Sequence, residues 1–217
     1  MLTHNRDEHH LREPAQEPTY QNYKGKTIAF PKDGKAGGTW IAMDEERVLC
    51  LLNGAFEKHN HLPPYRLSRG IVLLDAFVFE NLNAFSQEYV LEGIEPFTLI
   101  EINNNVLTEM RWDGQNTHNK THEWMPHIWS SATLYPSDIQ LKRTAIFHHY
   151  LQHRPQLNHE RILQFHLHGN TGNPEHNLIM QRPSGVKTLS ISQIIKNNTE
   201  LEFYYLDIQK NTLFKIP

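Results

Sequence analysis

Cysteine is almost absent: the 217-residue chain has one, Cys50. This excludes an intrachain disulfide framework and points to a reducing compartment. No apolar run approaches the length of a membrane span, and no basic stretch followed by an apolar one opens the chain. Neither a spanning helix nor a secretory leader is therefore expected. A cationic excess is missing too. Lys and Arg total 21 against 24 Asp and Glu, giving a net charge of −3. Tryptophan and tyrosine are scattered rather than interleaved with basic residues, which argues against a nucleic-acid surface. There is no internal repeat and no low-complexity segment. The expectation is a soluble, cytoplasmic protein forming one domain over residues 1–217, or at most two small ones.

What is present is a polar chain with clustered apolar residues. The apolar fraction is 38% and the mean hydropathy −0.60. At this length a core can form without disulfide or metal. Residues 1–4 read as the end of a strand, and 5–25 as polar and turn-rich. KTIAFP (26–31) is a short strand, and TWIAMDEERVLCLLNG (39–54) reads as strand, turn, strand. In 67–85, Ile71, Leu74, Val78 and Leu82 have helical spacing, with Ser68 as N-cap. PFTLIEINNNVLTEMRWDG (96–114) is a hairpin about an Asn triplet. HIWSSATLY (127–135) reads as another strand. Helices follow over 136–155, with a Pro beyond the end, and over 157–169, with a Gly stop. Residues 186–217 read as three strands joined by Asn-rich turns. Strands grouped apart from helices suggest antiparallel sheets with helices packed outside.

Four constellations have the residue types for chemistry. Asn5-Arg6-Asp7-Glu8 offers a charge-assisted pair able to position a nucleophile or a carbonyl oxygen; in isolation, a solvated turn is the plainer reading. Gly37-Gly38 lets backbone pass close to something. Asn53 before Gly54 can aim an amide at an oxyanion, although Asn-Gly is also common turn chemistry. Fifteen histidines are many, and His166, His168 and His176 lie close in sequence. No Cys or well-spaced carboxylate completes a metal pattern, so polar-face histidines are preferred over a metal or haem contact. Cys50 lies inside an apolar run, which favours an inert core thiol over a nucleophile.

The order of these pieces is more specific than any one of them. Asn5-Arg6-Asp7-Glu8, Arg12, Gly37-Gly38-Thr39-Trp40, Leu52-Asn53-Gly54, Tyr65-Arg66 and Ser68-Arg69-Gly70 together resemble the NRDE family, which includes the transport and Golgi organisation protein of animals. RWDG (111–114), HIWSSATLY and VKTLSIS (186–192) are similar to a bacterial branch of it. The resemblance covers essentially the whole chain. It implies an α+β fold like that of the N-terminal-nucleophile hydrolases, a four-layer α-β-β-α sandwich of mostly antiparallel sheets. In that superfamily an N-terminal Cys attacks linear amides, with its own α-amino group as base. Carried over by motif, Arg6 and Asp7 would orient the nucleophile and Asn53 would donate to the oxyanion. Asn5, Glu8, Arg12, Gly37, Gly38, Thr39 and Trp40 would bind or support. Ser131 falls near the place of a second Asn, and Lys187, with Thr188 beside it, where a late Arg is common.

Family members typically begin Met-Cys, with one strand leading into NRDE, whereas this sequence begins Met1-Leu2-Thr3-His4. The N-terminal strand and its Cys are missing from residues 1–217, and a start internal to the real gene is the preferred account. The expected function is a protein resembling hydrolases of linear amide or acyl bonds, inactive without that Cys. The alternative is a non-enzymatic intracellular carrier of haem or lipid. No cofactor or resident metal is implied. The expected partner is a small amide, acyl or haem-like ligand, with no nucleic acid and no membrane span.

Overall fold

The computed structural model describes residues 1–153, 156–197 and 200–217. Eleven strands and four helices are found among them, in two compact units. One unit comprises Met1–Glu13 with Ser137–Pro217, the other Pro14–Pro136.

The Pro14–Pro136 unit is a seven-stranded antiparallel meander. Its strands follow in sequence order: β2 (Gln16–Tyr23), β3 (Lys26–Lys32), β4 (Ile41–Met43), β5 (Arg47–Asn53), β6 (Phe97–Asn103), β7 (Val106–Trp112) and β8 (Thr117–His122). One face packs against α1 (Arg69–Ala76) and α2 (Leu82–Glu88) through a core that includes Leu49, Leu51, Leu73, Phe77, Phe85, Leu99 and Met110. Strand alternation places Leu49, Leu51, Leu99 and Met110 on that face. The β6–β7 hairpin closes on Asn104 and Asn105 at φ 47° and 64°, a left-handed pair that asparagine tolerates and that matches the twist of the strands.

The other unit is a four-stranded antiparallel sheet. Its order is β1 (Leu2–His9), β9 (Val186–Asn197), β10 (Glu200–Asp207) and β11 (Thr212–Ile216). Helix α4 (His159–His168) lies on β1 and β9. Helix α3 (Ser137–Gln152) joins it through Phe147 against Phe165, with ring centroids 5.2 Å apart. Gly169 ends α4 as expected, its N–H bonding Phe165 O at 2.7 Å.

Three local expectations change, and one strand, β8, was not expected. The single helix over 67–85 is two short ones. Ser68 caps the first as expected, and Asn81 caps the second by accepting from Ala84 N–H at 3.0 Å. HIWSSATLY is not a strand; no ladder partners it, and side-chain bonds tether it instead. Residues 5–25 contain most of β1 and all of β2 rather than turns. The signal for the β2–β3 hairpin is Lys24-Gly25, both at positive φ (49° and 85°), which is the two-residue turn such hairpins favour. Finally, β8 has no apolar pattern because it is an exposed edge strand, held by its ladder to β7. Arg154 and Pro155 of the expected 136–155 helix, and Asn198 and Thr199 beyond β9, lie outside the described residues.

Candidate functional site

The Asn-Arg-Asp-Glu string lies in the middle of β1, so alternation sends its side chains to opposite faces. Asn5 and Asp7 face the helices. Asn5 Nδ2 donates to Leu178 O at 2.7 Å, and Asn5 Oδ1 lies 2.6 Å from His166 Nδ1. An amide oxygen only accepts, so that imidazole nitrogen carries the proton. Asp7 Oδ1 accepts from the Thr188 hydroxyl at 2.6 Å, which itself accepts from Met180 N–H at 2.9 Å.

This last contact depends on an irregularity. Arg6 pairs with Ser190 but Asp7 with Thr188, so one extra residue of β9 is inserted between the two pairs. Without that bulge Thr188 would share the face of Ser190 rather than that of Asp7. His166 is held neutral, its pKa pushed down to about 3 by burial first, with the Arg143 guanidinium and His4 adding to the effect. Arg143 is buried and donates to His176 O and Asn177 O, both at 2.9 Å.

Arg6 faces the other way and is 6% exposed. Beside it on β9 stand Ser190 and Ser192, buried and without a hydrogen-bond partner for either hydroxyl. Glu8 and Arg12 form a half-exposed ion pair of 3.4 Å at the end of β1. Lys187 is the β9 residue opposite Glu8. Glu8, Arg12 and Lys187 are thus strand-end groups, away from the buried row of Arg6, Ser190 and Ser192.

The remaining motif residues belong to the Pro14–Pro136 unit. Gly37 adopts φ +70° in a turn closed by Asp33, whose carboxylate accepts from Ala36 N–H at 2.8 Å. Gly38 crosses Gly70 in the first turn of α1: a Cβ on Gly38 would lie 2.4 Å from Gly70 C, and one on Gly70 2.7 Å from Thr39 O. The Gly37-Gly38-Thr39-Trp40 and Ser68-Arg69-Gly70 motifs are two sides of this one backbone crossing. Thr39 N–H bonds Gly70 O at 3.2 Å, and Trp40 O accepts from Leu51 N–H at 2.9 Å. Cys50 is a core thiol, its pKa pushed up to about 12 by burial.

Asn53 ends β5. Its carbonyl accepts from Ser131 Oγ at 2.9 Å and lies within reach of Thr133. Ser131 therefore bonds the Asn53 backbone instead of standing as a second donor. Nothing bonds the Asn53 side-chain amide among the described residues.

Sequence reasoning did not single out Glu109, which accepts from Arg111 Nε at 2.6 Å and from Trp129 Nε1. Burial alone would raise its pKa; the bonds from Arg111 and Trp129 hold it below the usual carboxylate value. The readable signal was Glu-x-Arg inside an apolar strand, which puts both charges on one face. His166 and Thr188 were noticed, but not their bonds to Asn5 and Asp7. No group of three or more His, Cys, Asp or Glu suited to a metal ion occurs among the described residues. No helix there is long and apolar enough to cross a membrane.

Comparison with known proteins agrees with the motif order. A family model described as Transport and Golgi organisation 2 matches residues 1–204. No curated protein sequence matches significantly. Among solved structures, a variant of the conjugated bile acid hydrolase from Clostridium perfringens is similar in fold. The TM-score is 0.51 at 9% identity, covering 94% of this chain and 82% of that one. At this identity the likeness speaks for the fold alone: α+β, with mostly antiparallel sheets, of the N-terminal-nucleophile hydrolase type. The chain belongs to the Transport and Golgi organisation 2 family.

Proposed function

We propose that this chain binds a small molecule through an amide or acyl carbonyl, with the Asn53 side chain as a hydrogen-bond donor. The observation that carries the reading is the asymmetry at Asn53: its backbone carbonyl is held by a hydroxyl while none of the described residues bonds its amide. Buried or half-buried amides normally find partners, and an uncommitted donor at a rigid strand end suits a carbonyl or oxyanion.

Cys50 is buried, so its thiol is not placed as a nucleophile. Binding of the carbonyl is the activity proposed, with hydrolysis following where an N-terminal nucleophile is present. In the cell the ligand is met in the cytoplasm, consistent with a lone reduced cysteine.

The test is calorimetric titration with N-octanoylglycine and with an octanoyl thioester. Saturable binding is expected, weakened about tenfold in Asn53→Ala for the loss of one hydrogen bond and unchanged in Cys50→Ala. Absence of saturable binding to either probe, or an unaffected Asn53→Ala, would overturn the reading. Haemin is the contrasting probe: saturable haemin binding without acyl binding would move the assignment to a carrier.

A further inference from the structure

The corner that carries Asn53 is braced at each of three successive carbonyls. Asn53 O accepts from Ser131 Oγ at 2.9 Å, and Gly54 O from Thr98 Oγ1 at 2.9 Å. Ala55 O accepts from Arg111 Nη1. The Gly54 N–H is used as well, on Pro96 O at 3.0 Å. Gly54 itself sits at φ +83°, with Ala132 and Thr133 closed over the place of a Cβ. Ordinary strand ends satisfy such groups with water or further backbone. Here side chains from β6, β7 and the 127–135 segment do so.

Two of the three braces meet at one carboxylate. Arg111, which holds Ala55 O, gives its Nε to Glu109 Oε1 at 2.6 Å. Trp129, two residues before Ser131, gives its indole N–H to Glu109 Oε2. His122 adds Nε2 to the same oxygen at 3.3 Å. The 127–135 segment has no sheet ladder; the indole and hydroxyl bonds tie it to the sheet, beside a Thr133 N–H bond of 3.4 Å to Asn53 O. Glu109 is 7% exposed, and a buried carboxylate with charge-assisted bonds in fixed directions is a rigid anchor.

We infer that Glu109 is a positioning residue for Asn53, setting the direction of its side-chain amide through Arg111 on one side and through Trp129 and Ser131 on the other. Loss of either arm lets the corner relax while the helix-packed core, which includes Leu99 and Met110 on the opposite face of the sheet, stays filled. The importance of this alignment for ligand binding rests on the role proposed for Asn53 above; the alignment itself does not.

The experiment uses 15N-labelled full chain and follows the Asn53 side-chain amide resonances, assigned by their loss in Asn53→Ala. Trp129→Phe keeps an aromatic ring against His122 and His127, though a smaller one, and removes the indole N–H. It is expected to shift the Asn53 amide resonances and to weaken N-octanoylglycine binding about tenfold, the scale of one lost hydrogen bond. Ser131→Ala is expected to give the same shift, and Ser131→Thr, which restores a hydroxyl, to reverse it. If Glu109→Ala does not fold, Trp129→Phe decides the matter. Asn53 resonances that stay in place in Trp129→Phe and Ser131→Ala, whatever the melting temperature does, would overturn the inference. Resonances that move in a protein whose wild type binds no acyl probe would support the brace and remove the ligand role of Asn53.

Discussion

His166 gives this protein an acid-sensitive bond at the centre of its family motif. The half-buried imidazole projects from α4 onto β1, with Nδ1–H on Asn5, and its pKa is pushed down to about 3, by burial first and then by Arg143 and His4. In the unfolded chain a histidine titrates near 6.5. A folded pKa below the unfolded one means that the unfolded state binds the extra proton. The stabilising contribution is therefore complete above about pH 6.5 and is lost as pH falls toward about 3. Each pH unit in that window is worth about 1.4 kcal/mol, so going from pH 7 to pH 5 costs about 2 kcal/mol through this one group. His166→Asn keeps a neutral donor near the Nδ1 position and removes the titration. Urea unfolding followed by far-UV circular dichroism at pH 7, 6 and 5 is expected to show wild type losing about 2 kcal/mol more than His166→Asn. His122, also lowered by burial first, is common to both proteins and cancels. Carboxylates enter only below about pH 4.5. Parallel loss in the two proteins, or an imidazole resonance of His166 that titrates near 6.5, would refute the argument.

Gly38→Ala places a methyl 2.4 Å from Gly70 C, a backbone atom that cannot move aside alone, whereas the nearest atom to a Cβ on Gly37 is 3.9 Å away. Gly38→Ala is expected to abolish accumulation of folded protein, and Gly37→Ala to cost only about 1 kcal/mol for its left-handed φ, as read from chemical unfolding. Asp75 is buried and accepts from Tyr23 and Tyr89 hydroxyls at 2.7 Å each and from Lys24. Asp75→Asn leaves these donors one oxygen to share and is expected to cost about 2–4 kcal/mol, measurable by tryptophan fluorescence because all four tryptophans fall within residues 14–136. The Tyr89 phenol, raised to about 12 by burial and by the Asp75 carboxylate, is expected to stay protonated in ultraviolet titration through pH 11. Cys50, with its thiol at about 12, is expected to resist a thiol reagent at pH 8 in the native protein and to react fully in urea.

What could be read from the sequence followed from where apolar residues cluster. Strands β5, β6 and β7 were legible because they carry dense apolar, β-prone residues, most of them buried. β1 was not, because Thr3, His4, Asn5, Arg6, Asp7 and Glu8 are polar on both faces; its partner β9 supplies the apolar residues Ile191, Ile194 and Ile195. Once that segment is known to be a strand, alternation separates Arg6 from Asn5 and Asp7 without further information. The motif order was legible too, and the crossing of Gly38 with Gly70 explains why two distant glycine motifs belong together. The 127–135 segment was misread for a physical reason. Its Ile128 and Trp129 have strand propensity, but propensity needs a ladder, and here a carboxylate on β7 and a carbonyl at the end of β5 take the ladder's place. Burying a carboxylate in an apolar strand is costly unless every oxygen is bonded, so Glu109 within VLTEMRW required a donor, and Arg111 an acceptor, from outside their own strand. Trp129 met that requirement at Glu109. A charged pair two residues apart in an otherwise apolar strand is thus a sequence-level request for a tether, and at Asn53 the tether ends on the residue the family motif had already marked.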